Sequence, residues 1–170
     1  LLYEDGTVLE RKRREGRVEP EGEDVELAML RLAHARLGAA GFERYEISNF
    51  ARPGCACRHN INYWHFGAYI GIGAGAHGKL TLPAQGRVMR TRKTRVPRDY
   101  LAGTAASIRT DTAVPADELA LEFLMNALRL REGASVAQFE ARTGLACATI
   151  ASRVDALRAS GLMVAQAERL

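Results

Sequence analysis

Residues 45–78 read YEISNFARPGCACRHNINYWHFGAYIGIGAGAHG, a mixture that core packing does not need. Cys57 and His59 stand two residues apart in a polar stretch. Imidazole and thiolate are both axial ligands for heme iron. In an extended loop, a two-residue offset aims both side chains the same way. Cys55 has the same relation to Cys57. The competing reading is that all three are surface or hydrogen-bonding side chains. A zinc site would need four ligands at suitable spacing, which is not apparent. Tyr63 and Trp64 offer broad rings with one polar handle each, suited either to stacking on a porphyrin face or to sealing the segment against the body of the protein. Asn60 and Asn62 are placed to tie the backbone through their side-chain amides.

Two further features could carry chemistry. The glycines of GIGAGAHG, residues 71–78, let a cofactor approach backbone N–H groups closely. Their spacing fails the dinucleotide fingerprint, because no suitable helix follows, and a tight turn is the rival reading. Arg87, Arg90, Arg92, Lys93, Arg95 and Arg98 form a dense basic run. Arg forks suit the two carboxylates of a heme or porphyrinogen, with nucleic acid or a solvated face as the other readings. Glu46 is a candidate partner for His59 or for a basic residue. His34 reads as structural, and His65 is a minor ligand candidate.

The elements that must position these residues follow from periodicity and punctuation. Residues 1–9 read as a short strand with a turn at Asp5-Gly6, and residues 10–22 as a charged loop. Asp24 caps a helix running to about Ala40, with Leu27, Leu30, Leu32 and Leu37 as its stripe and Gly41 as its C-cap. Residues 42–47 read as a strand, so helix, turn and strand make half of a βαβ unit. Ser48-Asn49-Phe50 then falls at the strand end where ligands gather in α/β folds. Residues 52–62 read as an irregular loop, 69–76 as a strand and 87–95 as a basic strand or arm. Pro97 opens a short helix through Tyr100 and Leu101, and 103–114 is a linker. Helices over 115–131, from Ser135 through Ala141, and over 149–160, then a strand from Leu162, follow the order of a winged-helix module.

Composition narrows the class. The chain has 170 residues, a net charge of +4 and three cysteines, Cys55, Cys57 and Cys147. An odd cysteine count with no secretion signal points to reduced thiols in a cytoplasmic protein. No run is long and apolar enough for a membrane span, which leaves peripheral membrane association open. The charge tolerates nucleic acid, anionic lipid or an anionic small molecule and selects none. The opening LLY and the missing wing hairpin lead us to expect a longer protein, with more chain before Leu1 and after Leu170.

EDGT at 4–7, YEISNFARPG at 45–54, CRHNINYW at 57–64, YIGIGAGAHG at 69–78 and EFLMNALRLREG at 122–133 together resemble the C-terminal part of the oxygen-independent coproporphyrinogen III oxidase-like radical S-adenosylmethionine (SAM) proteins. HNINYW, residues 59–64, is similar to the signature of the heme chaperone branch. The resemblance implies an α/β fold: the last elements of a radical SAM barrel over 1–96, then a truncated winged-helix-like α+β domain over 97–170. It implies heme held near Cys57, His59, Asn60, Tyr63 and Trp64, with His59 and Cys57 as iron ligands, and delivered to a respiratory hemoprotein. It also implies SAM near Gly71, Gly73, Gly75, Ala76 and His77. The four-iron, four-sulfur cluster of such proteins sits on a CxxxCxxC motif absent from this chain, so this chain is not expected to perform radical chemistry. An oxidase of coproporphyrinogen III is the alternative parent. A nucleic-acid module in the tail is a weaker third reading, because the helix over 149–160 has only Arg153 and Arg158 as cations.

Overall fold

A computed structural model describes residues 4–82, 85–164 and 169–170. The chain forms two compact units, Leu1–Glu43 and Arg44–Leu170. In the first, Thr7 caps helix α1 (Val8–Arg14) by accepting a hydrogen bond from Glu10 N at 3.2 Å. The strand expected over 1–9 and the loop expected from residue 10 therefore give way to a helix, and residues 1–3 lie outside the described residues. The reason is local. The segment LERKRR is made of strong helix formers, and Arg14 pairs with Glu10 one turn back at 3.2 Å.

Helix α2 (Glu23–Ala39) follows, with Gly22 rather than Asp24 at its N-cap and no side-chain cap bond. Glu23, Asp24 and Glu26 in its first turn favour the positive end of the helix dipole instead. Gly41 ends it as expected, at φ +80°, and Phe42 N donates back to Leu37 O at 3.0 Å. No residue of α2 is buried.

The strand expected over 42–47 shortens to β1 (Glu43–Arg44), paired with β2 (Phe50–Ala51). The backbone beyond it finds other partners: Ile47 N donates to Arg129 O at 3.0 Å, and Arg131 N to Tyr45 O at 3.2 Å. Helix α3 (Arg58–Trp64) occupies the second half of the expected irregular loop. Residues 69–76 are not a strand beyond one isolated bridge between Tyr69 and Lys79. The strand begins where the glycines end, as β3 (His77–Leu82). β4 (Arg87–Lys93) and α4 (Pro97–Ala102) stand as read. The expected linker contains β5 (Arg109–Ala113), which completes an antiparallel sheet of order β3-β4-β5.

The tail holds α5 (Ala116–Ala127), α6 (Val136–Thr143), a short 3-10 turn (Cys147–Ile150) and α7 (Ala151–Ala159). Ser135 caps α6 as expected, in a reciprocal capping box with Gln138. Leu162 to Val164 form no strand; residues 165–168 lie outside the described residues, and Arg169 bridges back to Ser135.

The architecture is mixed α/β. Among the described residues the sheets are the pair β1-β2 and the antiparallel β3-β4-β5, and no closed barrel forms; the expected wing runs into residues 165–168, which lie outside the described residues. The core of the second unit runs through Phe66, Val88, Leu119, Phe123, Phe139, Ile150 and Val154. Phe66 meets Phe123 edge-on at 5.6 Å, and Phe123 meets Phe139 edge-on at 5.3 Å. Each such pair adds roughly 0.5–1.5 kcal/mol beyond its area burial. Among the described residues no helix is long and apolar enough to cross a membrane.

Candidate functional site

Helix α3 changes the geometry of the His59 motif. Cys57 is its N-cap, in extended backbone, and His59 lies in its first turn. An extended-loop argument for aiming Cys57 and His59 the same way therefore does not hold, because two positions along a helix turn a side chain by more than half a revolution. The helical period sorts HNINYW into two pairs instead. His59 and Tyr63 are four apart, and their rings meet edge-on at 4.7 Å. Asn60 and Trp64 are likewise four apart and face different anchors.

Those anchors come from distant chain. Asn60 Nδ2 donates to Tyr45 Oη at 3.3 Å. Trp64 lies beneath the Arg129 guanidinium, 4.3 Å from its ring centre, a cation–π contact. Arg129 in turn donates to Glu46 at 3.5 Å and to Ser48 Oγ at 3.2 Å. Glu46 is buried, and its carboxylate also accepts from Ser48 N at 3.0 Å and from the Asn49 amide. The partner of Glu46 is thus a basic residue and not His59. Asn62 holds the exit of the helix, donating to Ala68 O at 3.0 Å.

Phe66, just past that exit, is the single non-glycine residue with positive φ among those described, at +54°. An aromatic side chain pays for that conformation only where burial over-determines it, and Phe66 is a core residue. The Lys79 ammonium sits 3.2 Å from the centre of its ring and donates to Phe66 O at 2.6 Å. Burial, then the charges of Arg90 and Arg142, push Lys79 down to about 7, against the opposing pull of Glu122.

The glycine-rich run serves the chain itself. Tyr69 and Lys79 exchange backbone hydrogen bonds at 2.8 and 2.9 Å, so residues 70–78 double back. Gly71 lies so close to the His77 carbonyl that a Cβ there would collide with it, while Gly73 and Gly75 take φ of +98° and +71°. Ala76 O accepts from Lys93 N at 2.9 Å, joining the turn to β4. The turn leaves Ile70 and Ile72 exposed.

His59 and Cys57 are both exposed. The Tyr63 ring continues to the Tyr69 ring at 4.4 Å. Tyr69 Oη accepts from Arg90 at 3.4 Å, and Arg90 is paired with Glu122. Sequence reasoning found α3's motif but missed Arg129, Tyr69 and Lys79 as its supports. The four-residue spacing of His59 to Tyr63 and of Asn60 to Trp64 is the helical signal that the irregular-loop reading passed over. Nothing local signalled Arg129, which lies 83 positions from Glu46.

The HemN C-terminal domain model matches residues 114–170. Over 130 residues, the chain is 47% identical to a heme chaperone HemW of Escherichia coli, covering 76% of this chain and 34% of that protein. It is 42% identical over 122 residues to a heme chaperone HemW of Haemophilus influenzae, covering 72% and 31%. A heme chaperone HemW of Mycobacterium tuberculosis matches all of this chain at 36% identity, covering 41% of its own length. The chain belongs to the HemW/HemN-like radical SAM family. It spans about a third to two fifths of the curated relatives it matches. No solved structure matches it.

Within this family the cysteines matter for the cluster, and those present do not fit one. Cys55 and Cys57 are exposed before α3, whereas Cys147 packs against the core. Among the described residues, no group of three or more His, Cys, Asp or Glu side chains could hold a metal ion.

Proposed function

We propose that this chain is the cargo-holding C-terminal part of a heme chaperone, with heme as its cargo and His59 as an axial ligand of the heme iron. The observation that carries the reading is the presentation of His59. Its helix is pinned through Asn60 and Trp64, while the imidazole itself is exposed and steadied by the Tyr63 edge. A neutral imidazole held in one orientation on a rigid element is a sound iron ligand. Cys57 is the second candidate ligand. Tyr63, Ile70 and Ile72 supply apolar surface for the macrocycle, and Asn60 and Trp64 hold the helix in place.

In the whole protein we propose a radical SAM barrel with its iron–sulfur cluster, to which residues 1–96 contribute the last elements, and a winged-helix-like domain over 97–170. SAM would border the turn formed by Gly71, Gly73, Gly75, Ala76 and His77. The acceptor would be a respiratory hemoprotein, reached from the cytoplasm. The match of named heme chaperones to this chain supports the reading. The oxidase alternative draws no observation of its own from α3, because the HemN C-terminal domain match begins at residue 114.

The test is a heme titration followed through the Soret band. We expect saturable binding that His59→Ala weakens by about tenfold or more, with a shifted band, corresponding to about 1.4 kcal/mol or more. Binding unchanged in both His59→Ala and Cys57→Ala would remove α3 as the heme site.

A further inference from the structure

The basic strand β4 carries a pocket that the heme reading leaves unused. Antiparallel register puts His77 opposite Arg92 and Lys79 opposite Arg90. On the other side of β4, Arg92 lies opposite Thr110 and Arg90 opposite Thr112. Directly paired residues and their neighbours two along share one face of a sheet. A cavity of about 260 Å3 is lined by His77, Arg90, Thr91, Arg92, Thr110 and Thr112, all of which but Thr91 share that face.

The side chains that this lining presents on the shared face are two guanidinium groups, an imidazole and two hydroxyls, with the Arg90 guanidinium paired to Glu122 outside the lining. Arg90 is held in place by Glu122 and by Tyr69 Oη. Asp111, the acid nearest in sequence on β5, is out of register with Arg90 and Arg92 and is held by Arg109 at 2.6 and 2.8 Å. The Arg92 and His77 side chains make no hydrogen bond or ion pair with a described residue. A planar guanidinium left open beside hydroxyl donors is a fork for a carboxylate.

The pocket also connects to the candidate iron ligand. Arg90 is one hydrogen bond from Tyr69, whose ring lies 4.4 Å from Tyr63, whose ring lies 4.7 Å from His59. We infer that the His77–Arg90–Arg92–Thr110–Thr112 pocket binds the carboxylate edge of a porphyrin dicarboxylate. This deepens the heme reading and rests on it for the identity of the ligand. In this arrangement the carboxylates sit at β4 and β5, the ring lies along Tyr69 and Tyr63, and the metal faces His59.

The experiment uses a metal-free porphyrin, so that binding does not depend on iron ligation. Mesoporphyrin IX and its dimethyl ester are titrated against the chain by fluorescence. The free acid is expected to bind about tenfold tighter than the ester, as one charge-assisted hydrogen-bonded contact is worth. Arg92→Gln is expected to erase that preference and leave ester binding unchanged. Equal affinity for acid and ester, or a preference that survives Arg92→Gln, overturns the inference. Displacement of the free acid by SAM, which also carries a carboxylate, assigns the pocket to that smaller ligand and overturns it too. So does salt-sensitive binding of an oligonucleotide through Arg92 with no effect of esterification. The heme reading fails separately, through His59→Ala on heme, a measurement that does not involve Arg92.

Discussion

Helix α2 carries Val25, Leu27, Met29, Leu30 and Leu32 and leaves each of them exposed, whereas α5 buries Leu119, Phe123 and Ala127. Both segments show apolar residues at helical spacing, and both are helical. The difference is what the stripe meets. In α5 it meets Phe66 and Phe139, so the helix is held by burial. In α2, an acidic first turn and the Gly41 stop account for the helix, and none of its residues is buried. Apolar residues thus accompany a helix in both segments, but they are buried only where a described element meets them.

The sharpest way to break this contrast is to delete one apolar side chain from each helix. Phe123→Ala should cost about 3–5 kcal/mol in urea unfolding. Leu30→Ala should change the same transition by no more than about 0.5 kcal/mol. A large cost at Leu30 would mean that α2 has a packed partner, and the contrast would collapse.

Lys79 sharpens the picture inside the second unit, because it is a buried cation in that packed region. Its ordinary value of 10.5 applies to the unfolded chain, and about 7 to the folded one. Below pH 7 the ammonium is charged in both states, and the folded state bears the full cost of burying it. Between pH 7 and 10.5 the unfolded chain binds more protons, so stability rises with pH. Lys79→Met should flatten that rise, which at full extent is a few kcal/mol. Unfolding curves from pH 6 to 10.5 check it, and parallel wild-type and variant profiles would reject the assignment.

The smallest expected effect compares two caps. Ser135 caps α6 in a part-buried capping box, while Thr7 caps exposed α1. Ser135→Ala should lower stability by about 1 kcal/mol. Thr7→Ala should fray α1 and lower far-ultraviolet ellipticity slightly, with the main unfolding transition unmoved. Equal shifts of that transition would show that α1 unfolds with the core.

Legibility in the chain followed the range of the interactions. The Ser135 cap, the Gly41 stop, the Pro97 start and the β4 strand were readable because each depends on residues within one turn or one strand. α1 was misread because Gly16, Pro20 and Gly22 made its surroundings look like loop, although Thr7 and Glu10 carried a cap signal. β5 was misread because Thr110 and Thr112 find their partners on β4, and an unpaired polar strand looks like a linker. Within the candidate site, His59, Asn60, Tyr63 and Trp64 were legible as a motif, but their placement on a helix was not.

Residue types and spacing were enough to mark residues 45–78 as the chemical segment, to supply its imidazole and its aromatic rings, and to tie the chain to its family. Folding alone brought Arg129 over Trp64, set Glu46 beneath Arg129, ran Tyr69 from Tyr63 to Arg90, and opened a cationic face beside His77. The physical reason is that all of these contacts except Tyr63 to Tyr69 join segments far apart in sequence. Nothing in the local pattern can state which distant segment will arrive, because that is decided by how the Phe66, Phe123 and Phe139 core closes.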